Sequence, residues 1–257
     1  MTKILIIPDV HGRSLWKDAV EKYADECDLI IFGGDEVDPY PSENITRKEA
    51  IKVLENIIDF KLNNMDKVVL LLGNHAAHYF VNGFPRSSRY DSSNAYKIRE
   101  IYSSHKSLFK LAHEETINGK KFLFTHAGVM NSWVKRNKDV IEEPTVDNLN
   151  KLLETPKGIR ALSDISRYRT WLGEVSGSIL WSDVREKLDV DVLTGEMTPN
   201  EDSIVEGYDY QVLFHTQLAK DPIINDKWAC LDCRKAFILD DEGKITPVEG
   251  EQTDKGE

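Results

Sequence analysis

The chain opens with an apolar run, Lys3–Pro8 (KILIIP), that stops abruptly at Asp9-Val10-His11-Gly12. A branched apolar run without polar alternation is the pattern of a central strand covered on both faces. The pattern returns twice: Asp28–Phe32 (DLIIF) ends in Gly33-Gly34-Asp35-Glu36-Val37-Asp38, and Val68–Leu72 ends in Gly73-Asn74-His75-Ala76. Two helical periods stand between these runs. From Ser14, the expected cap, to about Ala24, the residues Leu15, Ala19 and Val20 share one face. From Thr46 to about Leu62, apolar residues recur at Ile51, Leu54, Ile57, Ile58 and Leu62. Three strand-plus-helix units that release polar residues at the same end predict a mostly parallel sheet with right-handed crossovers.

Beyond Ala76 the periods change. His78 to Ser93 is polar and aromatic-bearing and reads as a long loop at the functional end of the sheet, and Tyr96–Tyr102 reads as a short helix. His113–Ile117 and Lys120–Phe124, joined by Asn118-Gly119, predict a hairpin whose second strand ends in Thr125-His126-Ala127-Gly128. From about 130 to 179 apolar residues return at helical spacing, as in Leu149, Leu152 and Leu153, and again around Leu162, Ile165 and Tyr168. No linker composition sets this stretch apart, so it is expected to be a helical insertion in the same domain. Leu180-Trp181-Ser182 leads to Asp183, a candidate cap for a helical turn over Val184–Leu188. Tyr208–Phe214 predicts a strand ending in His215-Thr216-Gln217, and Trp228–Leu231 and Lys235–Leu239 predict two more before a last short one. The expected organisation is one domain over 1–248 and a disordered acidic tail over 249–257.

Composition narrows the setting. A hydrophobic content of 40% with 30% charged residues supports a soluble protein with an ample core. No apolar run approaches the ~20 residues that cross a bilayer, and Met1-Thr2-Lys3 leads straight into a strand, so a cytoplasmic location without membrane association is expected. The net charge of −11 repels nucleic-acid phosphates and argues against general nucleic-acid binding. Cys27, Cys230 and Cys233 are too few for a disulfide framework, and Cys230-Leu-Asp-Cys233 has no second pair or nearby histidine to complete a zinc site.

Five strand ends therefore carry Asp9/His11, Asp35/Asp38, Asn74/His75, His126 and His215. Each alone is an ordinary turn; side by side at one edge they form a donor set of carboxylates, imidazoles and an amide. Such a set without cysteine suits two borderline divalent or trivalent metals, manganese foremost, with iron or zinc as alternatives, rather than calcium. Two such ions activate water at neutral pH and hold two oxygens of a phosphoryl group. Asp35, with two carboxylate oxygens, is the natural bridging ligand. A non-ligating imidazole is then needed to protonate the leaving group, with a carboxylate to hold its tautomer, and His75 and Asp38 are the spare pair.

The ordered series Asp9-x-His11-Gly12, Gly34-Asp35-x-Val37-Asp38, Gly73-Asn74-His75, His126-Ala-Gly128 and His215 resembles the calcineurin-like metallophosphoesterases. Within them it is most similar to the serine/threonine phosphoprotein phosphatases and to bacterial and bacteriophage phosphatases and diadenosine tetraphosphatases. The tract Leu180-Trp181-Ser182-Asp183 adds to the likeness, which runs from residue 9 to about 217. The resemblance implies an αββα sandwich with mostly parallel central strands. It implies that Asp9, His11 and His215 hold one metal with Asp35, that Asn74 and His126 hold the other, also with Asp35, and that His75 is a general acid oriented by Asp38. It implies a phosphorylated substrate and hydrolysis of a phosphomonoester of the phosphoserine or phosphothreonine kind. The alternatives are a dinucleoside polyphosphate hydrolase or phosphodiesterase, and a catalytically silent binding protein on the same fold.

The departures are specific. Pro39 stands where the phosphatases carry a phosphate-gripping arginine, Ala76 replaces the glutamate after Gly-Asn-His, and Phe214 and Gln217 replace a glycine and a second histidine around His215. A substitute clamp is expected from Arg86, Arg89 or Arg185.

Overall fold

The computed structural model describes residues 2–168 and 175–248; the expected tail over 249–257 and residues 169–174 of the expected helical insertion lie outside the described residues. The three apolar runs form strands β1 (Ile4–Ile7), β2 (Leu29–Phe32) and β3 (Val68–Leu71), and the two helical periods form α1 (Leu15–Tyr23) and α2 (Arg47–Asn63). Strand β1 pairs parallel with β2, and β2 with β3. Side chains alternate across a strand, so each run must be covered twice. Leu5, Ile7, Ile30, Phe32, Val68 and Leu70 enter one buried cluster with Trp16 of α1 and Leu54 and Ile57 of α2. Ile4, Ile6, Ile31, Val69 and Leu71 enter another.

The rest of the chain supplies the second cover. After α3 (Asn74–Phe80), α4 (Ala95–Ser104) and β4 (Phe109–Lys110) comes a hairpin of β5 (Ala112–Ile117) and β6 (Lys120–Thr125). Three short helices follow, α5 (Asn131–Arg136), α6 (Val146–Asn150) and α7 (Pro156–Leu162). A small hairpin of β7 (Leu188–Val190) and β8 (Met197–Pro199) precedes β9 (Tyr210–Leu213), β10 (Ile223–Ile224), β11 (Trp228–Cys230), β12 (Phe237–Leu239) and β13 (Ile245–Pro247). One sheet runs β13-β12-β1-β2-β3-β4 and the other β10-β11-β9-β6-β5. In the first sheet β1, β2, β3 and the edge strand β4 run parallel and β12 and β13 antiparallel to their neighbours; in the second β11, β9 and β6 run parallel between the antiparallel edge strands β10 and β5. Phe122, Phe124, Val212 and Phe214 of the second sheet pack on Ile4, Ile6, Ile31 and Leu71 of the first. Each buried phenylalanine there contributes about 1.5–3 kcal/mol by area removed from water. The result is the expected α/β sandwich.

Local details separate two kinds of expectation. Thr46 accepts from the Glu49 amide and Glu49 returns the bond to the Thr46 amide, a reciprocal cap that fixes the start of α2. Asn118 and Gly119 both have positive φ, 49° and 74°, as a tight two-residue hairpin turn requires. Ser14, by contrast, makes no side-chain cap: its backbone is already helical (φ −89°, ψ −8°), which turns the hydroxyl away from the free amides. The loop expected from His78 is also shorter than its polarity suggested. Asn74–Phe80 is a helix with all seven residues buried, and small Ala76 and Ala77 let it approach the sheet.

Candidate metal centre and active site

The parallel strands point their carboxyl ends the same way, and the polar residues that stop each run meet there. His11 Nε2 lies 3.9 Å from Asp9 Oδ2 and 3.8 Å from Asp35 Oδ2. His126 lies 3.6 Å from Asp9 Oδ1 and 3.5 Å from Asp35 Oδ2. Asn74 Oδ1 is 3.0 Å from His126 Nε2 and 3.1 Å from His215 Nδ1. All six expected ligand residues therefore converge. His215 sets its ring against Asn74 and His126, and only its backbone amide approaches Asp9, at 3.5 Å.

The backbone fixes which imidazole atoms face inward. His11 Nδ1 lies 3.0 Å from the Val37 carbonyl and His126 Nδ1 2.8 Å from the Gly33 carbonyl. A carbonyl only accepts, so both Nδ1 atoms carry the proton and both Nε2 atoms present lone pairs to the carboxylates. Burial holds these rings neutral, pushing His11 and His215 down to about 3 and lowering His126. Burial also raises the Asp9 carboxyl, helped by the charges of Asp232 and Asp35. For Asp35 burial works the same way, but the charges that His126, His75, His11 and His215 carry when protonated outweigh it and hold this carboxyl below the usual range.

This donor set fits metal ions. Asp9, Asp35 and His126 bring ligand atoms within 4.8 Å of one another, all buried. No lysine or arginine side chain hydrogen-bonds to the carboxylates of Asp9, Asp35 or Asp232 among the described residues, and Arg13 and Arg234 act on Asp9 and Asp232 only as nearby charges. The lone pairs of Asn74 Oδ1 and His126 Nε2 face each other at 3.0 Å, an arrangement that favours a cation against both.

Close backbone packing builds the cluster. A Cβ on Gly73 would sit 2.1 Å from Asp35 Oδ1, and one on Gly34 2.7 Å from the Gly73 amide. His11, Asp35, Asp38, Arg89 and His215 have φ of 44°, 52°, 58°, 69° and 63°, five of the eight described non-glycine residues in that region. Such backbones cost about 1–3 kcal/mol each and persist where surrounding contacts over-determine them.

Beside the cluster, a second group of buried ligand-type atoms comprises Asp38, His75 and His78. Donors already converge on its carboxylate. His75 Nδ1 lies 2.9 Å and His78 Nε2 3.0 Å from Asp38 Oδ2, and the Tyr79 hydroxyl donates to Oδ1 at 2.7 Å. His78 Nδ1 accepts from the Ser87 amide at 3.2 Å, which leaves the proton on Nε2, close to Asp38 Oδ2 but outside hydrogen-bond geometry. Burial raises the Asp38 carboxyl, and the donors on His75, His78 and Tyr79 outweigh it and bring it below its ordinary value. His75 Nε2 faces a cavity of about 400 Å³ lined also by His11, Asp35, Asn74, Arg89 and His215, with Arg89 Nη2 at 3.2 Å.

Several residues here lay outside the sequence reading. His78 falls in the segment expected to be a loop, yet its spacing from His75 marks one face of a helical turn. Asp232 follows the apolar strand Trp228–Leu231 as Asp9 follows β1, the same pattern in a place where the flanking cysteines drew the reading away. It is buried, Oδ1 has no hydrogen-bond partner among the described residues, and burial first of all pushes its carboxyl up to about 7. The thiols around it enter different packed clusters, Cys230 with Leu213 and Trp228, Cys233 with Phe237 and Leu239, and burial raises both pKa values.

A two-sheet sandwich that gathers carboxylates and neutral imidazoles at its strand ends is the plan of a metal-dependent hydrolase. The sequence model of the calcineurin-like phosphoesterases matches residues 2–219, and the chain belongs to that family: it is a metallophosphoesterase. Its fold is shared with a cold-active protein-tyrosine phosphatase of a psychrophile, Shewanella sp., at a TM-score of 0.57 and 14% identity, over 97% of this chain and 81% of that one. A protein serine/threonine phosphatase from Saccharomyces cerevisiae gives 0.56 at 13% identity, over 98% and 82%. No curated protein matches by sequence. Among the described residues no helix is long and apolar enough to cross a membrane.

Proposed function

We propose that this chain hydrolyses phosphomonoesters with an alkoxide leaving group, of the phosphoserine or phosphothreonine kind. Asp9 and His11 would hold one metal ion with Asp35, and Asn74, His126 and His215 the other, also with Asp35. The nitrogen and oxygen donors suit manganese, with iron or zinc as alternatives. When bound, such ions polarise phosphoryl oxygens and activate water.

The observation that carries the reading is the orientation of His75. Its Nδ1 is held by Asp38 at 2.9 Å, Asp38 is itself held by the Tyr79 hydroxyl with the His78 ring beside it, and Nε2 opens on the cavity beside His11. A protonated Nε2 can donate to the leaving oxygen as its bond to phosphorus breaks and water supplies the new one. An alkoxide needs that proton; a phosphate leaving group from an anhydride needs it far less. The retained acid therefore favours alkyl esters over dinucleoside polyphosphates.

The test is a panel of p-nitrophenyl phosphate, its bis-ester, diadenosine tetraphosphate and a phosphoserine peptide, with manganese added and bound metal measured. Turnover of the phosphopeptide and p-nitrophenyl phosphate with about two metals per chain supports the reading. Turnover of only the diester or the polyphosphate overturns the substrate class, and no turnover with two metals bound overturns the reaction.

A further inference from the structure

We propose that Arg89 grips the substrate's phosphoryl group and that this grip selects monoesters over diesters; the inference rests on the hydrolytic reading above. Of the three arginines expected to act, the structure brings only one guanidinium to the reacting groups. Arg89 Nη2 lies 3.2 Å from His75 Nε2 and 3.4 Å from His11 Nε2, between the group placed to donate a proton and one placed to hold a metal. Arg185 lines the cavity rim, but its guanidinium is committed to the Asp183 carboxylate at 2.8 and 2.6 Å. Arg86 is exposed and stacks over the Tyr90 ring at 4.5 Å.

The guanidinium is held from several sides. Nε donates to the Asp38 carbonyl at 2.9 Å, and the carbon centre lies 3.7 Å from the Tyr40 ring centroid. Asp38 and Tyr40 flank Pro39, so a side chain from the loop after α3 reaches the spot where Pro39 itself offers no charge. The loop is pinned in turn: the Arg89 carbonyl accepts from Arg47, the Asp91 amide donates to the Tyr79 hydroxyl, and Tyr90 stacks on Tyr79 at 4.9 Å. The left-handed backbone of Arg89, at φ 69°, is retained within these contacts.

The two contacts of Nη2 with imidazole nitrogens are long for hydrogen bonds, whereas a phosphoryl oxygen in the cavity that all three residues line would take a short charge-assisted one. A monoester dianion has three non-bridging oxygens, and bound metal ions would take two of them. The third needs a donor, which Arg89 supplies. In a diester that position is an ester oxygen, with little charge for a guanidinium to bind.

The experiment compares wild type, Arg89→Ala and Arg89→Lys, all manganese-loaded and with metal content and melting temperature recorded. Turnover is read on p-nitrophenyl phosphate and its bis-ester, and inorganic phosphate affinity by calorimetry. For Arg89→Ala we expect a loss of about 10- to 100-fold in monoester kcat/KM and in phosphate affinity, and under about 3-fold on the diester. Arg89→Lys, which keeps the charge but not the planar fork, falls between, and added guanidinium ion restores part of the Arg89→Ala monoester rate. Equal losses on both esters, or an unchanged monoester rate and phosphate affinity, overturn the proposal. A wild type that binds two metals yet hydrolyses neither ester overturns the hydrolytic reading instead, while the phosphate-affinity comparison still decides the role of Arg89.

Discussion

Asn74 Oδ1 and His126 Nε2 lie 3.0 Å apart with the other ring nitrogen committed to the Gly33 carbonyl, so an acceptor faces an acceptor in a buried site. As oriented, the two atoms make no hydrogen bond with each other, and a cation satisfies both lone pairs. Metal binding should therefore stabilise the fold. At free manganese about 100-fold above its dissociation constant the gain is about 2.7 kcal/mol, read as a rise in melting temperature that a chelator reverses. Asn74→Ala should retain about one metal per chain by elemental analysis where the wild type holds two. An unchanged melting temperature on metal removal counts against the site.

The role of His75 separates from metal binding by leaving group. His75→Asn should keep the wild-type metal content and lose about 100-fold or more in kcat on an alkyl phosphate such as a phosphoserine peptide. The loss on p-nitrophenyl phosphate, whose leaving group needs little protonation, should be much smaller. Equal losses on both substrates, or loss of metal, would show that His75 is a ligand rather than the acid.

Gly73 is the hinge of the cluster because no side chain fits there. A methyl group would stand 2.1 Å from Asp35 Oδ1 and 2.6 Å from the Asp35 amide. Gly73→Ala should cost about 1–3 kcal/mol by denaturant unfolding and reduce metal content together with activity. A stable, fully metallated Gly73→Ala protein would contradict the packing described.

Lys187 provides a pH test away from the candidate ligands. It is fully buried, donates to the Ser182 hydroxyl, and burial pushes it from 10.5 down to about 8. Between pH 8 and 10.5 the unfolded chain holds a proton that the folded one has released, so this group makes stability rise with pH across that window and adds nothing above it. The wild type should gain up to about 3 kcal/mol on Lys187→Met over that range in parallel denaturant titrations, at about 1.4 kcal/mol per unit. A constant difference between the two proteins would refute it.

Much of the architecture was legible because it is local. β1, β2 and β3 were readable as runs that are apolar on both faces, α2 as a helical period from Thr46 to about Leu62, and the hairpin as Asn118-Gly119. Ser14 failed as a cap because capping depends on a backbone angle that residue type does not set. The segment from His78 was read as a loop because a short, polar helix lacks the period that reveals a long one; its burial comes from neighbours distant in sequence.

The sequence by itself determined which residues stop each strand, and hence Asp9, His11, Asp35, Asn74, His126 and His215 as a candidate donor set. A strand end is a property of a few consecutive residues, and parallel strands place their ends together. What only the tertiary structure decided is how the set is arranged and served: His215 against Asn74 and His126, His78 and Tyr79 behind Asp38, and Arg89 between His75 and His11. Those relations join side chains from separate loops and elements, and their distances follow from how the two sheets and α3 pack.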